Sequence, residues 1–328
     1  MRKTTKIWLI IATSLVLVGC IIFGGVLCML KWDFTKLSTV KYETNSYEIN
    51  ESYKNISVIT DTTDIKLLPS GNGKCSVICY EQKNVKHLVE VKDDTLEIKV
   101  VDIRKWYEHI GIVFSSPKIT IYLPNAQYDK LSIKENTGDV EIAKDFTFES
   151  INISTSTGSV KNYASAQKLI GIKTSTGNIK VKNISASALD LSVSTGNITA
   201  ETIACDGDIK VHVSTGCTQI SDAKCTTISS SGSTGDISLK NTIATEKLSI
   251  ERSTGDVKLD GSDAAELFIK TDTGSVKGSL LSDKIFFAKS DTGSINVPKT
   301  GNGGKCDITT DTGDIKITIK TDTKLLGL

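Results

Sequence analysis

Residues 150–160 read SINISTSTGSV, residues 169–179 read LIGIKTSTGNI, and residues 189–198 read LDLSVSTGNI. These are one unit written three times. The Thr-Gly pair recurs ten times, with its glycine at Gly138, Gly158, Gly177, Gly196, Gly216, Gly235, Gly255, Gly274, Gly293 and Gly313, always 19 or 20 residues apart. Seven residues before the glycine, all ten units are apolar, from Leu131 and Ile151 to Phe286 and Cys306. Five before it, eight of the ten are Ile, Leu or Val, with Ser230 and Ala288 the exceptions. Two after it, nine are apolar and Thr218 is not. Apolar positions two apart mark strands with one buried face. Each unit is therefore a strand, a Thr-Gly turn, a second strand and a return loop.

A unit of this size cannot bury its apolar face alone, so neighbouring units must stack on one continuous core. The expected class is all-β: a single-stranded β-solenoid of about ten coils over residues 131–320. At about 4.8 Å per coil it forms a rod roughly 45–50 Å long. Glycine suits a turn position with positive φ. The threonine beside it is expected to hydrogen-bond along the rod through stacked hydroxyls. The residue after it is often Asp, Asn or Ser, the types that cap turns. Gly216-Cys217-Thr218 lacks both the polar and the apolar residue, which predicts a bulge or local loosening there.

Outward from the repeats, residues 38–130 are strand-rich with longer loops and are expected to cap the rod at its membrane-proximal end. Asp61-Thr62-Thr63-Asp64-Ile65-Lys66 looks like a degraded copy of Asp311-Thr312-Gly313-Asp314-Ile315-Lys316. At the other end Ile315, Ile317 and Ile319 alternate with Lys316, Thr318 and Lys320, which reads as an open edge strand protected by lysine, with a tail at 321–328. Only four prolines occur in 328 residues, and none lies between Pro124 and Pro298. A proline-free run is expected where every N–H must join a ladder.

Residues 7–30, IWLIIATSLVLVGCIIFGGVLCML, carry no charge. As a helix they span roughly 36 Å, enough for a bilayer core of about 30 Å. Arg2, Lys3 and Lys6 precede the run, whereas Asp33 dilutes Lys31 and Lys36 after it. The positive-inside rule puts the tail 1–6 in the cytoplasm and everything beyond the linker 31–37 outside. A cleaved signal peptide has a shorter apolar region. Leu17-Val18-Gly19-Cys20 matches a lipobox, but the chain stays apolar for ten residues after Cys20. The net charge of +1 argues against a nucleic-acid partner, which calls for a basic patch.

The Ser-Thr-Gly-Asp-Ile and Thr-Asp-Thr-Gly-Ser-Ile blocks on an anchored chain resemble the bacterial putative-adhesin family, a domain of unknown function common in Firmicutes. The resemblance covers roughly residues 40–320 and includes Trp106-Tyr107 and Ile119 to Pro124. It implies a β-solenoid at the cell surface and supplies no catalytic residues.

Several residue sets are candidate sites. Cys205 and Cys225 each lie nine after their glycine in adjacent coils, so they stack as a disulfide or as buried free thiols. Cys306 falls in an apolar column, and Cys75 and Cys79 share a strand face. Paired zinc spacings such as Cys-x2-Cys are absent. Asp272, Asp291 and Asp311 each lie two before their glycine, forming a solvated ladder or a Ca²⁺ site. Lys161, Lys180, Lys258, Lys277 and Lys316 each lie three after theirs, a stripe suited to an anionic wall polymer. Trp106-Tyr107-Glu108-His109 is an aromatic cap or a sugar platform. With three histidines, His87, His109 and His212, and no paired carboxylates, no catalytic constellation and no cofactor are expected. The sequence reads as a non-catalytic membrane-anchored surface protein, meeting a wall polymer, a host surface or another envelope protein. The alternatives are an envelope-stress regulator bound to a membrane partner and, last, a carbohydrate-active enzyme.

Overall fold

The computed structural model describes residues 3–33, 40–106 and 115–320. Helix α1, Lys3–Met29, is long and apolar enough to cross a membrane. The elements described after it are strands. The first nine strands are β1 (Tyr42–Ile49), β2 (Asn55–Ile59), β3 (Asp64–Pro69), β4 (Cys75–Gln82), β5 (Val85–Lys92), β6 (Thr95–Asp102), β7 (Lys118–Leu123), β8 (Gln127–Thr137) and β9 (Val140–Ile142). From β8 onward the chain winds in coils, numbered 1 to 10 after the ten turn glycines.

The coils form a β-solenoid with parallel, in-register strands. Leu131, Ile151, Ile170 and Leu189 stack in successive coils, as do Val140, Val160, Ile179 and Ile198. These columns are essentially inaccessible to solvent and make one core along the rod. Each fully buried Ile, Leu or Val contributes about 1.5–3 kcal/mol.

Glycine is required at the turn by its neighbour as well as its torsion. In coil 4, Gly196 has φ +141°, and a Cβ there would sit 1.9 Å from the Gly177 carbonyl oxygen one coil below. The residue after the glycine does not cap its own turn. Its side chain accepts the N–H of the same position one coil on, as from Ser159 to Asp139 Oδ1 (2.7 Å), Asn197 to Asn178 Oδ1 (2.9 Å) and Asp256 to Asp236 Oδ1 (2.9 Å). The expected hydroxyl ladder is also displaced. Among the described residues the threonines before the glycines make no such bond. Thr174, Thr271 and Thr310, three before theirs, donate to the turn-glycine carbonyl of the coil beneath.

The second corner carries a column of left-handed residues six after the glycine: Asn183, Thr202, Asp222, Asn241 and Gly261, with φ between +46° and +59°.

Both ends of the rod depart from chain order. At the first end β2 pairs with β8 on one side and β6 on the other, and β3 likewise lies between β9 and β7. The layer β2–β3 is thus inserted between coil 1 and the later layer β6–β7. The β4–β5 hairpin pairs with itself only at Gln82–Val85. Beyond that β4 runs antiparallel to β7 and β5 to β6, closing the rod with reversed strands, and β1 adds outside β4.

At the far end coil 10 (Gly304–Thr312 and Ile315–Ile319) lies between coil 8 (Asp263–Thr273 and Val276–Leu280) and coil 9 (Lys284–Thr292 and Ile295–Asn296). The expected open edge at Ile315–Ile319 is therefore wrong: Ile315 and Ile317 are buried. Coil 9 is the terminal layer, and Phe287 and Ile295 are 55% and 45% exposed there. A buried ion pair holds the insertion. Lys284 of coil 9 reaches past coil 10 to Asp263 of coil 8, with Nζ 2.7 Å from Oδ1.

The bulge expected at Thr218 does not form, because Thr218 keeps register with Ile198 and Ile237. It is buried for another reason. Arg252, three before its glycine in coil 7, threads into the core. It donates from Nη1 to the Val213 carbonyl (2.6 Å) and from Nη2 to Thr218 Oγ1 (3.1 Å). Gly232, the intervening residue in coil 6, makes room, since a Cβ there would sit 2.0 Å from Nη1. Thr218 and Gly232 thus break the coil pattern for one side chain.

Candidate functional site

The lysines three after each glycine follow one another up one face. Lys161 stacks on Lys180, and Lys258 on Lys277. Lys277 is then the register partner of Lys316, because coil 10 sits directly on coil 8. In chain order Asn296 would have separated them. Below, charge is compensated: Lys66 pairs with Glu141 at 2.7 Å, and Glu201 holds Lys180 and Lys182 at 3.4 and 2.8 Å. Thr199, Gln219 and Ser238 fill the middle coils. Lys258, Lys277 and Lys316 are exposed and have no ion-pair partner among the described residues. Two unit charges 4.8 Å apart repel by up to about 0.9 kcal/mol in water, and a bound anion relieves that repulsion.

The acidic set follows the same reordering. Asp272, Asp311 and Asp291 succeed one another in coils 8, 10 and 9. They are solvent-facing, and Asp291 is held by Lys289 at 3.0 Å. Their carboxylates do not converge within metal-binding range. Cys205 and Cys225 are free thiols donating to backbone carbonyls, Cys205 to Asp208 (3.5 Å) and Cys225 to Ile243 (3.8 Å). Burial pushes the Cys225 thiol up to about 12, and that of Cys306, in the core, to the same value. Trp106 is 80% exposed, whereas Tyr107, Glu108 and His109 lie outside the described residues.

Sequence reasoning missed a buried polar chain where the turn column meets the end cap. β6 ends at Asp102 and β7 begins at Lys118, and the sequence joining them carries no Thr-Gly unit beside the Thr62-Thr63 layer. A cleft of about 440 Å³ opens there, lined by Tyr42, Thr62, Thr63, His87 and Arg104 among others. His87, on β5, is only 3% exposed. Its Nε2 is 2.9 Å from Thr60 Oγ1 and its Nδ1 is 2.7 Å from Glu81 Oε2. Glu81, fully buried, also accepts the His87 backbone N–H (2.7 Å) and, on Oε1, Asn45 Nδ2 (2.7 Å). Carboxylate, imidazole and hydroxyl stand in the order of a nucleophilic triad. Thr60, however, is buried, shares its hydroxyl with Thr63 Oγ1 at 3.0 Å, and does not line the cleft.

One coil further in, Glu135 occupies the core column of Thr155 and Thr174, with both carboxylate oxygens and Thr155 Oγ1 lacking partners. Burial raises its carboxyl to about 8, against a smaller opposing pull from the Thr155 hydroxyl, which favours the protonated form in the core.

A groove of about 810 Å³ follows the second corner, with Ile184, Ile203, Ile243 and Leu281 among polar side chains.

None of the curated proteins matches this chain significantly. Among solved structures it is similar to an adhesin described as putative from Bacteroides fragilis, at 18% identity and TM-score 0.33, covering 85% of this chain and 97% of that one. It is also similar to a putative lipid binding protein from Parabacteroides distasonis, at 18% identity and TM-score 0.47, covering 84% and 97%. A putative adhesin from the latter organism aligns at 13% identity and TM-score 0.41, covering 85% and 98%. Likeness of this order says nothing about function. The sequence profile is decisive: that of Toastrack DUF4097 matches residues 53–211 and again 198–326, most of the solenoid. The chain belongs to the Toastrack DUF4097 family.

Proposed function

We propose that this chain is a non-catalytic surface protein, held in the membrane by α1 with its amino terminus in the cytoplasm. Its solenoid stands outside as a rigid rod that engages an anionic polymer of the cell envelope. The observation that carries the reading is the consecutive column Lys258–Lys277–Lys316, in which no ammonium group is held in a close ion pair among the described residues. A polyanion with regularly spaced phosphates matches charges repeating at one coil per step, and ion release would drive its binding, as at other polyelectrolytes.

The test is titration of the full chain in detergent with a purified poly(glycerol phosphate) and with a neutral glycan, at two salt concentrations. Saturable, salt-weakened binding of the polyanion alone is expected, and K258Q/K277Q/K316Q should lower affinity at least tenfold. Equal binding by the variant would overturn the reading. The exposed apolar layer at coil 9, with Phe287 and Ile295, favours a second reading, contact with another envelope protein. Under it the polyanion does not bind and F287S/I295S loses the protein partner.

A further inference from the structure

Among the described residues, one group brings metal-ligating atoms together: Cys79, Glu81 and His87, whose sulfur, carboxylate oxygen and ring nitrogen all lie within 4.8 Å of one another. Cys79 and Glu81 are two apart on the inward face of β4, and His87 reaches them from β5, beyond the tight turn. All three are buried. We infer that Cys79, Glu81 and His87 form a zinc site at the end of the solenoid, with its remaining coordination position facing the cleft beside Thr63.

The donor set selects the ion. Thiolate, imidazole and carboxylate together suit Zn²⁺ and not a hard cation such as Ca²⁺ or Mg²⁺. The outer atoms are already engaged as in a metal site, where ligand histidines and carboxylates are oriented by a second partner. Asn45 holds Glu81 Oε1, leaving Oε2 inward, and Thr60 holds His87 Nε2, leaving Nδ1 inward. The inward pair, Nδ1 and Oε2, is 2.7 Å apart. Two ligands about 2.0–2.1 Å from a tetrahedral zinc stand roughly 3.3 Å apart, so the ion enters with an opening of about half an ångström.

Zinc replaces the Cys79 thiol proton, which leaves to solvent through the cleft, and its two positive charges offset thiolate and carboxylate among buried side chains. His87 lines the cleft, giving the ion a way in. Thr60 and Thr63 then join the first layer of the rod to the metal, so occupancy stiffens the junction between the cap and the coils.

The experiment uses the full chain in detergent under reducing conditions, stripped with chelator. It is titrated with Zn²⁺ against a chromogenic competitor and, separately, with Co²⁺ as a spectroscopic probe. One Zn²⁺ per chain is expected. Co²⁺ should give a thiolate charge-transfer band with the d–d bands of a tetrahedral ion. C79S should abolish the charge-transfer band while C205S/C225S retains it. T60V should keep the stoichiometry but weaken Zn²⁺ binding by about 10–100-fold, the range for losing an outer partner. The inference is overturned if the wild type takes up no Zn²⁺ saturably or if Co²⁺ shows no thiolate band. It is equally overturned if C79S and H87N, folded by circular dichroism, bind as the wild type does. Should those two variants misfold, the wild-type spectrum and T60V decide: unchanged affinity in T60V overturns it.

Discussion

Replacing Glu135 by glutamine should stabilise the protein progressively as pH rises. Glu135 is 3% exposed, and its carboxyl oxygens have only the Thr155 hydroxyl near them, with no well-formed hydrogen bond. Burial lifts the carboxyl from the ordinary 4.5 to about 8 in the folded chain. Between those two values the native state keeps a proton that the unfolded state has released, so stability falls as pH rises. A gap of about 3.5 units at 1.36 kcal/mol per unit sets the full loss at about 5 kcal/mol, absent below pH 4.5 and complete above pH 8. E135Q removes the ionisation but keeps the shape. E135T goes further and installs the residue that Thr155 and Thr174 supply in the next two coils. Urea unfolding of wild type, E135Q and E135T, at half-unit steps from pH 4.5 to 8.5, would read the difference. The two variants should gain on the wild type along a common slope approaching 1.4 kcal/mol per pH unit in mid-range. A difference that stays constant across the range would refute a neutral buried acid at Glu135.

Other parts of the rod yield sharper local outcomes. K284M leaves Asp263 buried without its cation and should cost about 3–5 kcal/mol; limited proteolysis would then release coils 9 and 10 before the rest. G196A forces a Cβ to within 1.9 Å of the Gly177 carbonyl at φ +141° and should lose roughly 3 kcal/mol or more in chemical unfolding, combining torsional strain with the steric shift. T202N, by contrast, places at φ +56° the residue type found at Asn183 and Asn241 in that corner column, and should gain up to about 1 kcal/mol in the same measurement.

The coil architecture was legible because the buried columns repeat with the glycine, and stacking identical units has one in-register solution. The order of the layers was not legible. Coils 9 and 10 carry the same Thr-Gly-x-Ile signature, so either completes the stack on coil 8 as far as local pattern goes. One hint was present: Pro298, the only proline within the repeats, follows the two-residue strand Ile295–Asn296, and proline belongs at an edge. Arg252 explains a second failure. Thr218 looked like an isolated lapse and Gly232 drew no notice, whereas a single guanidinium spanning two coils makes both necessary. The cluster around His87 joins residues from β1, β4 and β5 with Thr60 just after β2, which no repeat relates. Its only signal was Glu81 continuing the buried alternation of Cys75, Val77 and Cys79.

The lysine column depends on that layer order, and cross-linking tests it directly. With exposed Cys217 changed to serine, K277C/K316C and K277C/N296C would be oxidised and resolved by mass spectrometry. Lys277 and Lys316 are register partners one layer apart, and Asn296 stands on the far side of Lys316. Adjacent layers about 4.8 Å apart permit a disulfide, whereas two layers, about 9.6 Å, exceed its Cα reach of about 7 Å. The account predicts that K277C/K316C closes and K277C/N296C stays reduced. The opposite result would return coil 9 to its place in chain order and interrupt the column at Asn296.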